Sequence, residues 1–169
     1  MKKRYILGIV FGILIIATVI AIFSFSSENG VESGGRSDKV IDILANILIS
    51  DYDSMSASEK AAIIRKFAYP VRKGAHIAEY ALLSAFVAVF VWVFTSKSIF
   101  TISLPIIVSF LLGMSDELIL QRSTSGRSGK FSDVMIDFIG ILLGTAAVYL
   151  FMRFYWRGKR RRHNEDNKA

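Results

Sequence analysis

The sequence contains no cysteine, only two prolines and only two histidines among 169 residues. Without cysteine, the chain can form neither a disulfide framework nor a thiolate metal site or thiol nucleophile. It also lacks the polar balance of a soluble domain, because 53% of its residues are hydrophobic and its mean hydropathy is +0.46. These absences indicate a membrane protein whose chemistry, if it has any, depends on oxygen and nitrogen groups.

Four apolar stretches are each close to the length that crosses about 30 Å of hydrocarbon as a helix. They cover residues 5–25, 77–95, 99–117 and 133–156. The first could instead be a cleaved signal peptide, but its apolar run exceeds the usual 7 to 15 residues of such a segment. The sequence therefore predicts an all-α, integral membrane four-helix bundle, with residues 1–169 forming a single domain.

Residues 26–72 form a polar interval, which we expect to be a short amphipathic helical insertion between spans one and two. Apolar residues recur at helical spacing over residues 37–49, which predicts one amphipathic helix. Ser56-Ala-Ser-Glu59 is a capping box that opens a second short helix. We expect this helix to end before Tyr69-Pro70, because the residue before a proline disfavours the α conformation.

The net charge of +7 is concentrated at the two ends of the chain. Basic clusters next to apolar runs indicate membrane topology rather than a nucleic-acid site, so we expect no nucleic-acid partner. The positive-inside rule then predicts that both termini, including the basic tail 157–169, are cytoplasmic. The 26–72 interval, in which acids and bases nearly balance, is predicted to be extracytoplasmic.

With this topology, the charged ends of spans two, three and four meet at the outer face of the membrane. If residues 71–83 are helical, Arg72, His76 and Glu79 share one face of span two. Ionisable groups at this depth are costly and are often functional, which favours a ligand-binding site. The candidate residues are Arg72, Lys73, His76, Glu79, Asp116, Glu117, Gln121, Arg127, Asp133 and Asp137.

A structural explanation of the same residues competes with the functional one. Arg72 and Lys73 would then extend to the lipid phosphates, while His76 and Glu79 would hydrogen-bond to each other.

In span four, Asp133 and Asp137 share a face with Gly140-x-x-x-Gly144, a pattern that lets two helices approach closely. Asp137 then lies about one turn into the membrane. There it needs a basic partner, for which the candidates are Arg72, Lys73, His76 and Arg127.

The acids and His76 offer oxygen ligands and one imidazole, a set that divalent cations accept. Their spacing matches no established metal motif, and the acids are needed to neutralise the nearby bases. The sequence therefore leads us to expect neither a metal nor a cofactor. A serine hydrolase is also disfavoured, since the sequence has no nucleophile elbow.

Four motifs follow one another along the chain: Arg72-Lys-x-x-His76-x-x-Glu79-Tyr80-x-x-Leu83, Ser115-Asp-Glu117, Gly126-Arg127-x-Gly129 and Asp133-Val-x-Ile-Asp137-x-x-Gly140-x-x-x-Gly144. Together with Phe23-Ser-Phe-Ser26-Ser27 at the end of span one, they resemble the VanZ-like family of bacterial membrane proteins, named for a teicoplanin resistance protein. The resemblance covers residues 5–153.

Two positions depart from the family pattern. The family commonly has glutamine after the Ser-Ser pair, where this chain has Glu28. It commonly has a His-Gln pair after Asp-Glu, whereas here Leu118-Ile-Leu120 precedes Gln121. The second departure leaves His76 as the histidine near the site.

The resemblance implies a protein of a Gram-positive cytoplasmic membrane that contributes to low-level resistance to teicoplanin-type glycopeptides. Membrane lipids are the expected partners, and several bases at headgroup depth fit an anionic lipid or a lipid-linked cell-wall precursor. Two other functions compete with this one. The first is a membrane hydrolase or transferase acting on envelope lipids, with His76 and Glu79 as its catalytic candidates. The second is a non-catalytic structural membrane protein, and the oligomeric state is open in every case.

Overall fold

The structure is a computed structural model and describes residues 2–95, 97–126 and 129–166, with side chains described as far as Gly158. Within these ranges the chain is helical and contains no strand. The helices are α1 (Lys2–Ser26), α2 (Gly30–Leu48), α3 (Ala57–Phe94), α4 (Ser98–Ser115) and α5 (Phe131–Asp166). A 3₁₀ turn at Tyr52–Ser54 precedes α3, and a π-helix at Asp116–Gln121 continues α4.

Four helical segments are long and apolar enough to cross a membrane: Lys2–Ser26, Ala57–Phe94, Ser98–Gln121 and Phe131–Gly158. Many of their apolar side chains point away from the protein. On α1, Ile6, Ile9 and Ile13 each leave about 60% of their surface exposed. An apolar surface of this extent is expected to face lipid rather than water, so the predicted all-α bundle of four spans is confirmed.

The spans run alternately up and down. Gly8 near the start of α1 lies against Phe94 at the end of α3, so these two helices are antiparallel. By contrast, α3 and α5 are parallel, since His76 contacts Asp137 and Trp92 packs against Tyr155. The buried core lies between the helices and consists of Ile22, Tyr80, Leu83, Val87 and Ile141.

Close packing of α3 on α5 explains the two glycines of the Gly-x-x-x-Gly pattern. A Cβ atom at Gly140 would overlap the carbonyl oxygen of Ile77, and one at Gly144 would overlap that of Ala81. Only residues without side chains let the backbones come so near. The predicted close approach is therefore confirmed, and it fixes the depth of α5 relative to α3.

The predicted helix end before Tyr69-Pro70 is wrong, because α3 passes through Pro70 without a break. Proline in a helix interior removes one backbone hydrogen bond and costs about 3 kcal/mol. Helix α2 lies beside this part of α3, where Phe67 and Val71, on either side of Pro70, line one apolar groove with Ile41. Tertiary contacts often override a local preference of this kind. The Ser56 capping box that begins this helix is confirmed.

Two other helix boundaries differ from the predicted ones. The amphipathic helix begins at Gly30, not near residue 37, because Asn29 and Glu32 form a capping box there. The last helix continues past residue 156 to Asp166. Arginine and lysine are good helix formers, and positive charge is favourable at a helix C-terminus.

Candidate functional site

Five of the predicted site residues meet in one buried cluster between α3, the π-helix and α5. His76 comes from α3, while Asp116, Glu117 and Gln121 come from the π-helix and Asp137 from α5. Asp116 and Glu117 are fully buried, and Asp137 is 1% exposed. The sequence predicted that these residues lie at one end of the bundle, and in the structure they form a single contacting cluster.

His76 is the basic member of this cluster. Its Nδ1 atom is hydrogen-bonded to Asp137 Oδ1 at 3.2 Å and lies 3.8 Å from Glu117 Oε1. Among the described candidates for the partner of Asp137, His76 is therefore the one that the structure shows in contact with it.

The π-helix explains how Gln121 joins the acids. Its amide Nε2 donates to Glu117 Oε1 at 2.5 Å and to Asp116 Oδ2 at 3.1 Å. Asp116 and Gln121 are five residues apart, so they would diverge on a regular α-helix. The i to i+5 hydrogen bonding of a π-helix brings residues at that spacing onto one face.

Lys73 and Asp133 form a separate ion pair beside the cluster. Lys73 Nζ lies 2.7 Å from Asp133 Oδ1, and both side chains are mostly buried, at 13% and 19% exposure. This pair links α3 to the start of α5 about one helical turn from the His76–Asp137 contact. Lys73 is thus engaged by Asp133 and does not simply extend to the lipid phosphates.

Arg72, His76 and Glu79 line a cleft of about 130 Å³ between α2 and α3. Across it lie Glu28 and Arg36, which form an ion pair with each other. The His76 side chain lines this cleft and also contacts the buried acids, so it lies between the accessible cleft and the protein interior. Arg127, the remaining predicted site residue, lies outside the described residues.

The contribution of α2 to the cleft was missed in the sequence. Arg36 and Ser33 line it, although the sequence reading began this helix beyond both residues. The Asn29–Glu32 capping box was the signal that could have placed them on a helix facing α3.

A larger cavity, of about 490 Å³, lies at the opposite end of the bundle. Trp92, Tyr149 and Arg153 contribute to its lining. None of the predicted site residues that the structure describes lines it. Helices α3 and α5 are parallel, and Trp92 lies 16 residues beyond His76. The predicted cluster and this cavity are therefore separate features.

These features define an α-helical membrane protein whose apolar spans enclose an acid-rich cluster at one end. A family model described as VanZ/LLP1 matches residues 11–153, which is most of the chain. The chain therefore belongs to the VanZ/LLP1 family, and the resemblance inferred from its motifs is confirmed. No curated protein and no solved structure matches the chain significantly.

Proposed function

We propose that this VanZ/LLP1 family protein acts at the bacterial cell envelope and lowers susceptibility to teicoplanin-type glycopeptides. The ligand in this proposal is a phosphate-bearing lipid headgroup, carried either by an anionic membrane lipid or by a lipid-linked cell-wall precursor. The orientation is the one expected from the basic ends, with both termini cytoplasmic and the cleft opening outward.

The observation that carries this proposal is the cleft between α2 and α3. Arg36 and Arg72 both line it, and a guanidinium group binds phosphate oxygens through paired hydrogen bonds. The Arg72 side chain is exposed at the edge of the cleft. A headgroup could thus contact Arg72 while its lipid tails remain beside the apolar faces of α2 and α3.

The test compares a teicoplanin-susceptible Gram-positive host expressing the full chain with the same host carrying an empty vector. We expect the chain to raise the inhibitory concentration of teicoplanin and Arg72→Gln to abolish the increase. Arg65→Gln is the matched control, because it removes the same charge from the same helix outside the cleft. Mass spectrometry of co-purifying lipid distinguishes an anionic lipid from a cell-wall precursor.

Equal growth with and without the chain, together with no co-purifying phospholipid or precursor, would contradict the proposal. Equal effects of Arg72→Gln and Arg65→Gln would contradict the role of the cleft.

A second function is favoured by the His76–Asp137 contact. A buried carboxylate that orients an imidazole is an arrangement used in general acid–base catalysis, so the protein would be a hydrolase or transferase acting on envelope lipids. In that case His76 is oriented by Asp137, whereas Glu79 lies with His76 at the cleft. His76→Gln separates the two functions, because headgroup binding should survive while turnover should be lost.

A further inference from the structure

The cluster around His76 holds more acid than base. Asp116, Glu117 and Asp137 are each at most 1% exposed. Among the described residues, the bases near them are His76 and Lys73, and Lys73 is engaged by Asp133. Burying several carboxylates beside one imidazole is costly unless protons or a cation neutralise them.

Three of these side chains converge on one point. One ligand atom from each of His76, Glu117 and Asp137 lies within 4.8 Å of the other two. Two ligands bound tetrahedrally at about 2.1 Å from one metal ion are roughly 3.4 Å apart. The 3.2 Å and 3.8 Å distances from His76 Nδ1 to the two carboxylate oxygens lie on either side of that value.

A second observation also indicates a ligand that the protein atoms alone do not supply. Within the described part of the chain, Glu117 Oε2 and Asp137 Oδ2 are buried and have no hydrogen-bond partner. Buried polar atoms are almost always satisfied in folded proteins. Each of these oxygens belongs to a carboxylate of the converging set, so these two buried groups have more acceptor oxygens than the described protein donors fill.

The surroundings suit such a site. His76 also lines the cleft between α2 and α3, so one ligand of the set can be reached from the accessible space of that cleft. Gln121 donates to Glu117 Oε1 and to Asp116 Oδ2, and so fixes the orientation of one ligand from behind. Outer groups of this kind orient metal ligands and tune their affinity.

From these observations we propose that His76, Glu117 and Asp137 bind a divalent transition-metal cation, of which zinc and manganese are the best matches. Two carboxylates balance its charge, and the single imidazole disfavours magnesium and calcium, which prefer oxygen ligands alone. The cation takes the place of the hydrogen-bonded proton between His76 Nδ1 and Asp137 Oδ1. A neutral imidazole keeps its one proton, which then lies on Nε2, whereas an imidazolium or a protonated carboxyl group of the set releases its proton to solvent on binding. The sequence alone led to the opposite expectation, because the three residues match no known spacing motif.

The experiment uses the full chain in detergent micelles, purified with an affinity tag that contains no histidine and then treated with a chelator. Titration with Zn²⁺, Mn²⁺ and Mg²⁺ is followed by calorimetry and elemental analysis. We expect one equivalent of Zn²⁺ or Mn²⁺ to bind, and a higher thermal midpoint in its presence, since a ligand that binds only the folded state stabilises it. Glu117→Gln and Asp137→Asn should each weaken metal binding by about 100-fold or more. Losing a direct ligand should cost at least as much affinity as losing an outer group that only orients a ligand.

Asp133→Asn is the matched control, because it makes the same change on α5 one turn before Asp137 and outside the converging set. Gel filtration and circular dichroism identify any variant that fails to fold. If one of the carboxylate variants fails to fold, Co²⁺ is bound instead to the wild-type chain and to His76→Gln. A difference between the visible absorption spectra of the two proteins tests the imidazole ligand directly.

Three results would overturn the proposal: no binding of Zn²⁺ or Mn²⁺ at millimolar concentration, binding that Asp133→Asn weakens as much as Asp137→Asn does, or a Co²⁺ spectrum unchanged in His76→Gln. All of these measurements concern the purified protein, so they are independent of teicoplanin susceptibility and of the proposed headgroup ligand.

Discussion

His76 Nδ1 lies 3.2 Å from Asp137 Oδ1, although the two residues are 61 positions apart in the chain. About one helical turn further along α5, Gly140 meets the backbone of α3 at Ile77, the residue after His76. The polar contact and the closest approach of α3 and α5 are therefore adjacent. Any change that separates these helices should also disturb the cluster.

We expect His76 and Asp137 to be energetically coupled. His76→Leu leaves a buried carboxylate without its imidazole partner and should lower the free energy of unfolding by about 3 kcal/mol. Adding Asp137→Leu should recover part of that loss, because replacing both partners by apolar groups is far less costly than removing one. Thermal unfolding in detergent, with a chelator present, measures the four proteins of this cycle. Strictly additive effects would show that the contact carries no coupling.

The two glycines of α5 should not tolerate a methyl group. Gly140→Ala and Gly144→Ala each force α5 away from α3 and should cost about 1–3 kcal/mol, as overpacking does elsewhere. Gly74→Ala is the control, because nothing lies within 4 Å of the position its Cβ would occupy. That change should instead stabilise α3 by about 0.5–1 kcal/mol. Thermal midpoints of the three variants test this, and losses of equal size would rule out close packing as the cause.

Much of this architecture was accessible from the sequence, because long apolar runs in a chain without cysteine have few alternatives. The shared face of Arg72, His76 and Glu79 followed from helical spacing, and all three residues line one cleft. The partner of Asp137 did not follow, since the choice among nearby bases depends on how far α5 is shifted along α3. That shift is set by the backbone contacts of Gly140 and Gly144, which residue spacing alone does not quantify.

The errors in the predicted secondary structure have other physical causes. At Pro70 the local preference disfavours a helix, yet α3 continues through this residue where it lies beside α2. The π-helix at Asp116–Gln121 carries no apolar periodicity that marks it, because buried acids and an amide take the place of apolar side chains. The sequence feature that marks the π-helix is the five-residue spacing between Asp116 and Gln121. This spacing is informative only once the hydrogen bond between the two side chains is known.

The ion pair between Lys73 and Asp133 should still stabilise the protein when its two charges are exchanged between α3 and α5. Both side chains are mostly buried, so Lys73→Met should cost about 1–3 kcal/mol by leaving Asp133 without its partner. The exchange Lys73→Asp with Asp133→Lys should restore most of the loss. The amount of folded protein in the membrane and its thermal midpoint are the measurements. An exchange variant that is as unstable as Lys73→Met would contradict a stabilising role of this ion pair.

The hydroxyl of Ser84 should stabilise the contact between α3 and α5. This side chain is fully buried, and it donates to the carbonyl oxygen of Ile141 at 3.0 Å. Ser84→Ala should lower the free energy of unfolding by about 1 kcal/mol, since the carbonyl loses a donor that no water replaces. Ser103→Ala is the matched control, because its hydroxyl lies at the surface of α4 and bonds within its own helix to Ile99. The control should change stability by less than about 0.5 kcal/mol, and a loss as large as that of Ser84→Ala would mean that the bond between the helices adds nothing specific.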